Sequence, residues 1–488
     1  MRRAPLRRSP LLSAVTAAAV LLAGCGTSVT TEARRLGVPR PLPSVSAAGG
    51  NTDGTSTPVA DPIYPGYGNP AIDVQHYGLT LAWAPDTKTL TGTATIKLRA
   101  VRAVQQVRLD FSSAYRIGKT SIDGADVAGR IVEGDLTVDR PLAAGAVATL
   151  AVEYQGTPAT VPMPSHRGDS EPLGLTVTKD GELWTMQEPY GASTWYPAND
   201  QPSDKALYDI AVTVPAGWAG VASGTPKGRS GDTFSYTTAQ PVASYLTTLA
   251  VGRYTKSEVT GPRGLPITLW TRTGKDDAFI PELKKSPEYL GWLEERFGPH
   301  PFPSTGAVIV PSESAMETQQ MLTIGGDVLG PRPQLDNLGP VLVHEYAHQW
   351  FGNAVGPATW KDLWLNEGWA TYVEQLHNAS HGGPAIERWE QAARQQDTEL
   401  RRRLGPPGSP RADSFAEGNV YLCPALMLRQ LHKALGDERF FALGRAWAGG
   451  HAGTAQDRAA FIAFVNQQTG RDFTGLINSW LDSPATPA

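Results

Sequence analysis

HEYAHQWFGNAVGPATWKDLWLNEG, residues 344–368, carries more chemistry than any other part of this chain. On a helix, residues four apart share a face, so His344 and His348 can direct their imidazoles at one metal ion from adjacent turns. Catalytic zinc takes three protein ligands and keeps a fourth position open. Glu367 meets that need. Gly352, Asn353, Gly356 and Pro357 end the first helix, and residues 360–375 read as a second helix folding back against it. Glu345 stands beside the first ligand, where the H-E-x-x-H arrangement places its general base. Glu374, seven residues after Glu367 and on nearly the same helix face, is placed to hydrogen-bond a ligand imidazole. Ligand type leaves cobalt and manganese open beside zinc. The blander reading of the same residues is a metal site without catalysis.

The sequence around this motif divides in two. Over residues 63–255, short β-rich runs at 77–83, 91–98, 147–154 and 208–214 alternate with Gly, Pro and Asp turns, which argues a β-sheet domain. From 256 to 488 a strand region gives way to helical patterns at 280–297, 421–435 and 458–469, and the two zinc helices lie among them. The fold class expected is α+β, with a β-sheet domain preceding a mainly helical one. No repeat of fixed period is present.

Six segments in the family's order resemble the gluzincin zinc aminopeptidases of the aminopeptidase N and leukotriene hydrolase type. Besides HEYAHQWFGN and LNEG, these are EPYGASTWYPANDQP from Glu188, the Phe297-Gly298 to Phe302-Pro303 run, Ala315-Met316-Glu317 and Asn419-Val420-Tyr421. The resemblance extends from about Tyr67 to Leu481. It implies a saddle-like β domain, a thermolysin-like catalytic domain and one zinc ion. It also implies that Glu188 and Glu317 hold the substrate ammonium, a cation that needs fixed carboxylates when partly desolvated. By the same resemblance the backbone at Ala315 and Met316 pairs with the extended substrate, and Tyr421 donates to the oxyanion. Taken without the motif, Met316 reads as core, the two glutamates as surface carboxylates and Tyr421 as packing.

The chain also departs from the family pattern. Ser193 and Thr194 stand where an arginine is common, Thr318 replaces the motif asparagine, and Cys423-Pro424 replaces Lys-Gly. Eight residues follow Trp480, so the long C-terminal helical domain of many relatives is not expected. The cleft is then expected to be more open, and long peptides become plausible substrates.

Arg2, Arg3, Arg7 and Arg8 precede an apolar run at 11–22, and Leu22-Ala23-Gly24-Cys25 follows. This is a secretory signal over residues 1–24, too short to span a membrane in the ordinary way. Its end resembles a bacterial lipobox, which implies lipid on Cys25 and a membrane-anchored, extracytoplasmic protein; the plainer reading is a cleaved signal with an incidental cysteine. Loss of the signal takes four arginines and no acid, moving the formal charge from -4 to -8. No basic cluster suggests nucleic acid. With Cys25 lipidated, Cys423 has no partner for an intramolecular disulfide. Residues 25–62, rich in Ser, Thr, Gly and Pro, read as a flexible tether.

The sequence therefore points to a zinc aminopeptidase, expected as a monomer, acting on peptides with a free N-terminus. A metalloendopeptidase and a non-catalytic peptide-binding lipoprotein are the alternatives.

Overall fold

The computed structural model describes residues 51–168, 171–326 and 335–488. The signal segment, Cys25 and the tether up to residue 50 lie outside the described residues. Residues 51–62 form no helix or strand, but they do not hang free as the end of a tether. Ser56 exchanges hydrogen bonds with the Lys205 backbone (2.9 Å each way), and Asp61 accepts from the Trp360 backbone at 2.6 Å.

Strand periodicity accounts for the first half. In Thr89–Ala100 the side chains alternate between buried and exposed, with Leu90, Ala94, Ile96 and Leu98 facing inward, as a half-buried pleated strand requires. It pairs antiparallel with Ile72–Ala84, which in turn runs parallel to Lys205–Thr213 inside a nine-stranded sheet. A second, four-stranded sheet contains Leu183–Met186, buried along its whole length. That strand delivers the chain directly to Glu188.

The second half begins with a five-stranded mixed sheet in the order Tyr254–Thr260, Pro266–Arg272, Thr305–Val310, Leu322–Gly325, Ala315–Met316. Ala315–Met316 is therefore an edge strand, paired on one side only. Four helices follow the pattern read from the sequence: α1 (Ser286–Phe297), α2 (Leu335–Ala347), α3 (Trp364–Ser380) and α4 (Gly418–Leu435). The expected helix at 280–297 is interrupted at Lys284–Lys285: Pro287 has no N–H to donate to the Leu283 carbonyl four residues back, and Ser286 Oγ donates to that carbonyl instead at 2.6 Å. The second zinc helix starts at Trp364 rather than 360, after a short 3-10 turn at Trp360–Asp362.

α3 packs on both α2 and α4. Its contact with α4 is close enough that a Cβ on Gly368 would meet the Pro424 ring at 2.7 Å. Glycine after Glu367 is thus what lets α4, and Tyr421 with it, approach α3. Trp369 stacks on Phe351 at 4.3 Å with planes 4° apart, locking α3 to the segment after α2. One buried apolar cluster fills the β-rich half and another the helical half.

Candidate active site

α2 ends at Ala347, yet His348 still donates its backbone N–H to His344 at 3.3 Å, so the helical spacing of the two histidines is kept. Gly352 then turns the chain with φ 134°, a region closed to most side chains. A Cβ there would also press on Asn366 and on His348 Nδ1, each 3.3 Å away.

The two imidazoles converge on Glu367. Its Oε2 lies 3.3 Å from His344 Nε2 and 3.4 Å from His348 Nε2. Ligands about 2.0–2.1 Å from a tetrahedral zinc stand about 3.3–3.4 Å from one another, so the donor set and its spacing fit the ion. The opposite ring nitrogens are held as well. His348 Nδ1 is 3.0 Å from the Phe351 carbonyl, to which it can only donate, which leaves Nε2 with its lone pair turned to the site. His344 Nδ1 is 3.3 Å from Glu374 Oε2, and Gln375 donates to the other Glu374 oxygen at 3.0 Å. These contacts orient the rings in the way metal-ligating histidines require.

Carboxylates crowd the same space. Glu188, Glu317 and Glu367 each present an oxygen within 4.8 Å of the others, and Glu317, Glu345 and His348 form a second such group. Burial, together with the Glu317 and Glu367 charges, pushes the Glu188 carboxyl well above its usual range. Burial raises Glu345 to about 7 against the lowering pull of the two histidines. Glu188 Oε1 and Glu317 Oε1 have no hydrogen-bond partner. Two buried acceptors left open beside a third carboxylate make a site that calls for a cationic donor.

The backbone around these groups is fixed. Gln187 donates to the Ser244 and Thr247 carbonyls at 2.8 Å and accepts from Trp195, which anchors the residue before Glu188. The Glu317 carbonyl accepts from Gln349 at 3.1 Å and from Asn353 at 2.6 Å, both on the stretch leaving α2. Tyr421, at the start of α4, lies with its ring 6.1 Å from that of His344 and 23° from parallel to it.

One cavity gathers the metal, catalytic and substrate-binding residues read from the sequence: His344, His348 and Glu367, Glu345 and Tyr421, Glu188 and Glu317, and the edge strand Ala315–Met316. Met316 is 2% exposed, so it serves the core and the cavity wall together. The wall also includes Met163, Arg167, Glu171, Leu173, Met186 and Ser314, none of which sequence reasoning found. Met186 had one available signal, its place two residues before Glu188 and so on the same face of the strand. Met163, Arg167, Glu171 and Leu173 come from one loop and its base, Ser314 from the residue before the edge strand, and none carries a spacing signal.

A β domain that lends Glu188 to the cleft, an edge strand and a two-helix metal motif define a two-domain zinc metallopeptidase architecture. The peptidase family M1 domain matches residues 282–480, and the peptidase M1 N-terminal domain matches residues 73–246. The chain belongs to the peptidase M1 family. Aminopeptidase N of Streptomyces lividans is 26% identical over 331 residues, 63% of this chain and 38% of that protein. Aminopeptidase N of Acetobacter pasteurianus is 28% identical over 319 residues, 61% of this chain and 88% of its own length. The chain thus spans little more than a third of the Streptomyces protein. Among solved structures, an M1 zinc metallopeptidase from Deinococcus radiodurans superposes with a TM-score of 0.77 at 27% identity, covering 88% of this chain and 99% of that one. A form of the same protein is bound to a Tyr-Ser-Ala substrate.

Proposed function

We propose that this chain is a zinc-dependent aminopeptidase that removes N-terminal residues from peptides outside the cytoplasm. The observation that carries the reading is the convergence of Glu188, Glu317 and Glu367 within 4.8 Å, with one oxygen each of Glu188 and Glu317 lacking a partner. Next to a metal held by His344, His348 and Glu367, those open acceptors suit a substrate ammonium, and an ammonium held there leaves the first peptide bond at the metal. An endopeptidase has no use for them.

Zinc at this site supplies a Lewis acid that polarises a carbonyl and acidifies water. The chain's own residues do the rest. Glu188 and Glu317 accept hydrogen bonds from the ammonium and set the register. The free edge of Ala315–Met316 pairs with the extended peptide backbone. Glu345 takes the proton of the attacking water on its carboxylate and hands it to the leaving amine. Tyr421, whose phenol burial keeps protonated, donates to the oxyanion as it forms.

The direct test compares fluorogenic amino-acid amides with their N-acetylated counterparts, with and without a chelator. Chelator-sensitive turnover of the free amines alone is expected. Cleavage of the blocked substrates would instead identify an endopeptidase.

The location rests on residues 1–25. A basic start, a short apolar run and Leu22-Ala23-Gly24-Cys25 support export and lipid attachment at Cys25. No helix among the described residues is long and apolar enough to cross a membrane. In a bacterial host the protein is expected in the membrane fraction, and Cys25→Ala is expected to release it or leave it uncleaved.

A further inference from the structure

We infer that Arg167 is a specificity-determining residue that recognises a carboxylate at the third residue of the substrate. The inference rests on the ammonium-binding reading above, which fixes where the peptide begins.

Arg167 lies on a loop of the β domain whose base is closed by reciprocal backbone hydrogen bonds between Val161 and Leu173, at 2.9 and 2.7 Å. Two side chains fasten this loop to the segment leading into the edge strand. Glu171 accepts from Ser312 Oγ at 2.7 Å and from the Glu313 backbone at 2.9 Å, while Arg167 Nη2 donates to Ser314 Oγ at 3.3 Å. Among the described residues, Arg167 is the one arginine or lysine on a cavity wall that carries five glutamates.

The direction of the peptide follows from burial. With its amine at Glu188 and Glu317, the chain cannot continue past Thr318, Gln319 and Gln320, which are 0%, 0% and 1% exposed. The open wall instead runs through Met316 and Ala315 to Ser314, antiparallel to the edge strand. A strand advances about 3.3 Å per residue, so Ser314 is about 10 Å along from Glu317, close to the reach of three extended residues. The third residue therefore arrives at the guanidinium, whose planar fork suits a carboxylate. That carboxylate is the C-terminus of a tripeptide or an Asp or Glu side chain in a longer peptide.

The test measures kcat/KM for two substrate pairs: a tripeptide against its C-terminal amide, and a tetrapeptide amide with Glu against one with Gln at the third position. The wild type is expected to favour the carboxylate in at least one pair by about tenfold or more. The pair that responds identifies the source of the carboxylate. In Arg167→Gln the ratio is expected to fall to about one, with Arg167→Lys in between. Ratios are insensitive to a general loss of turnover, and Arg167→Lys carries the comparison if Arg167→Gln does not fold. Ratios near one for both pairs in the wild type, or ratios unchanged in the variants, overturn the inference. A wild type silent on every free-amine substrate overturns the aminopeptidase reading itself, a different result.

Discussion

Glu374 Oε2 stands 3.3 Å from His344 Nδ1, while Glu367 Oε2 stands 3.3 Å from Nε2 of the same ring. The imidazole is thus held between a carboxylate that would share its metal and one that orients it. Replacing an orienting partner of this kind typically weakens metal binding by about 10–100-fold. Glu374→Ala is expected to lower zinc affinity within that range, read by competition with a chromophoric chelator. Unchanged affinity would mean the contact is incidental.

Glu345 is not one of the three zinc ligands His344, His348 and Glu367, so its loss separates metal binding from proton transfer. Glu345→Gln is expected to keep one zinc per chain by elemental analysis and to lose about 10²–10⁴-fold in kcat, the usual contribution of general acid–base catalysis. Loss of zinc together with activity would move Glu345 to a structural role.

Tyr421 reaches the cavity through the close approach of α4 to α3 at Gly368. Tyr421→Phe retains the ring and removes only the donor. It is expected to fold, bind zinc and keep KM, with the barrier raised by about 3 to 4 kcal/mol. Near wild-type turnover would remove Tyr421 from the reaction.

Lys205 is 1% exposed, and its ammonium reaches only backbone carbonyls, those of Asn353 (2.7 Å), Ala354 (3.4 Å) and Thr454 (3.3 Å). Burial pushes its pKa down to about 7, against about 10.4 in an unfolded chain. The unfolded state then binds more protons between these values. The cost of burying the charge is full below pH 7 and is relieved as pH rises toward 10.4. Relative to Lys205→Met, wild-type stability is expected to rise between pH 7 and 9.5, measured by urea unfolding at several pH values. A flat difference would show that Lys205 stays charged when folded.

Local periodicity made much of the site legible. His344 and His348 are four residues apart and Glu367 opens the next helix, so the ligand set needed only the i, i+4 rule and a turn. The alternating strands of the β domain and the helix at Arg458–Thr469 were legible for the same reason. Boundaries were less so. The stretch at 280–297 is broken after Leu283, the second zinc helix begins at Trp364 behind a 3-10 turn, and residues 51–62, polar and without period, are tied down by Asp73, Ser203 and Lys205.

By itself the sequence determined the donor types, their helical spacing and the two-part α+β organisation, because these depend on contacts within a few residues. Glu188 and Glu317 were marked by motif resemblance, since no spacing rule links two glutamates so far apart in the chain. Only the tertiary structure decided that their carboxylates meet beside Glu367, that Gly368 must lack a side chain, and that Arg167 and Glu171 reach across to the segment before the edge strand. Those arrangements depend on how the sheets and helices pack over long separations, where a loop residue carries no periodic signal of the surface it will face.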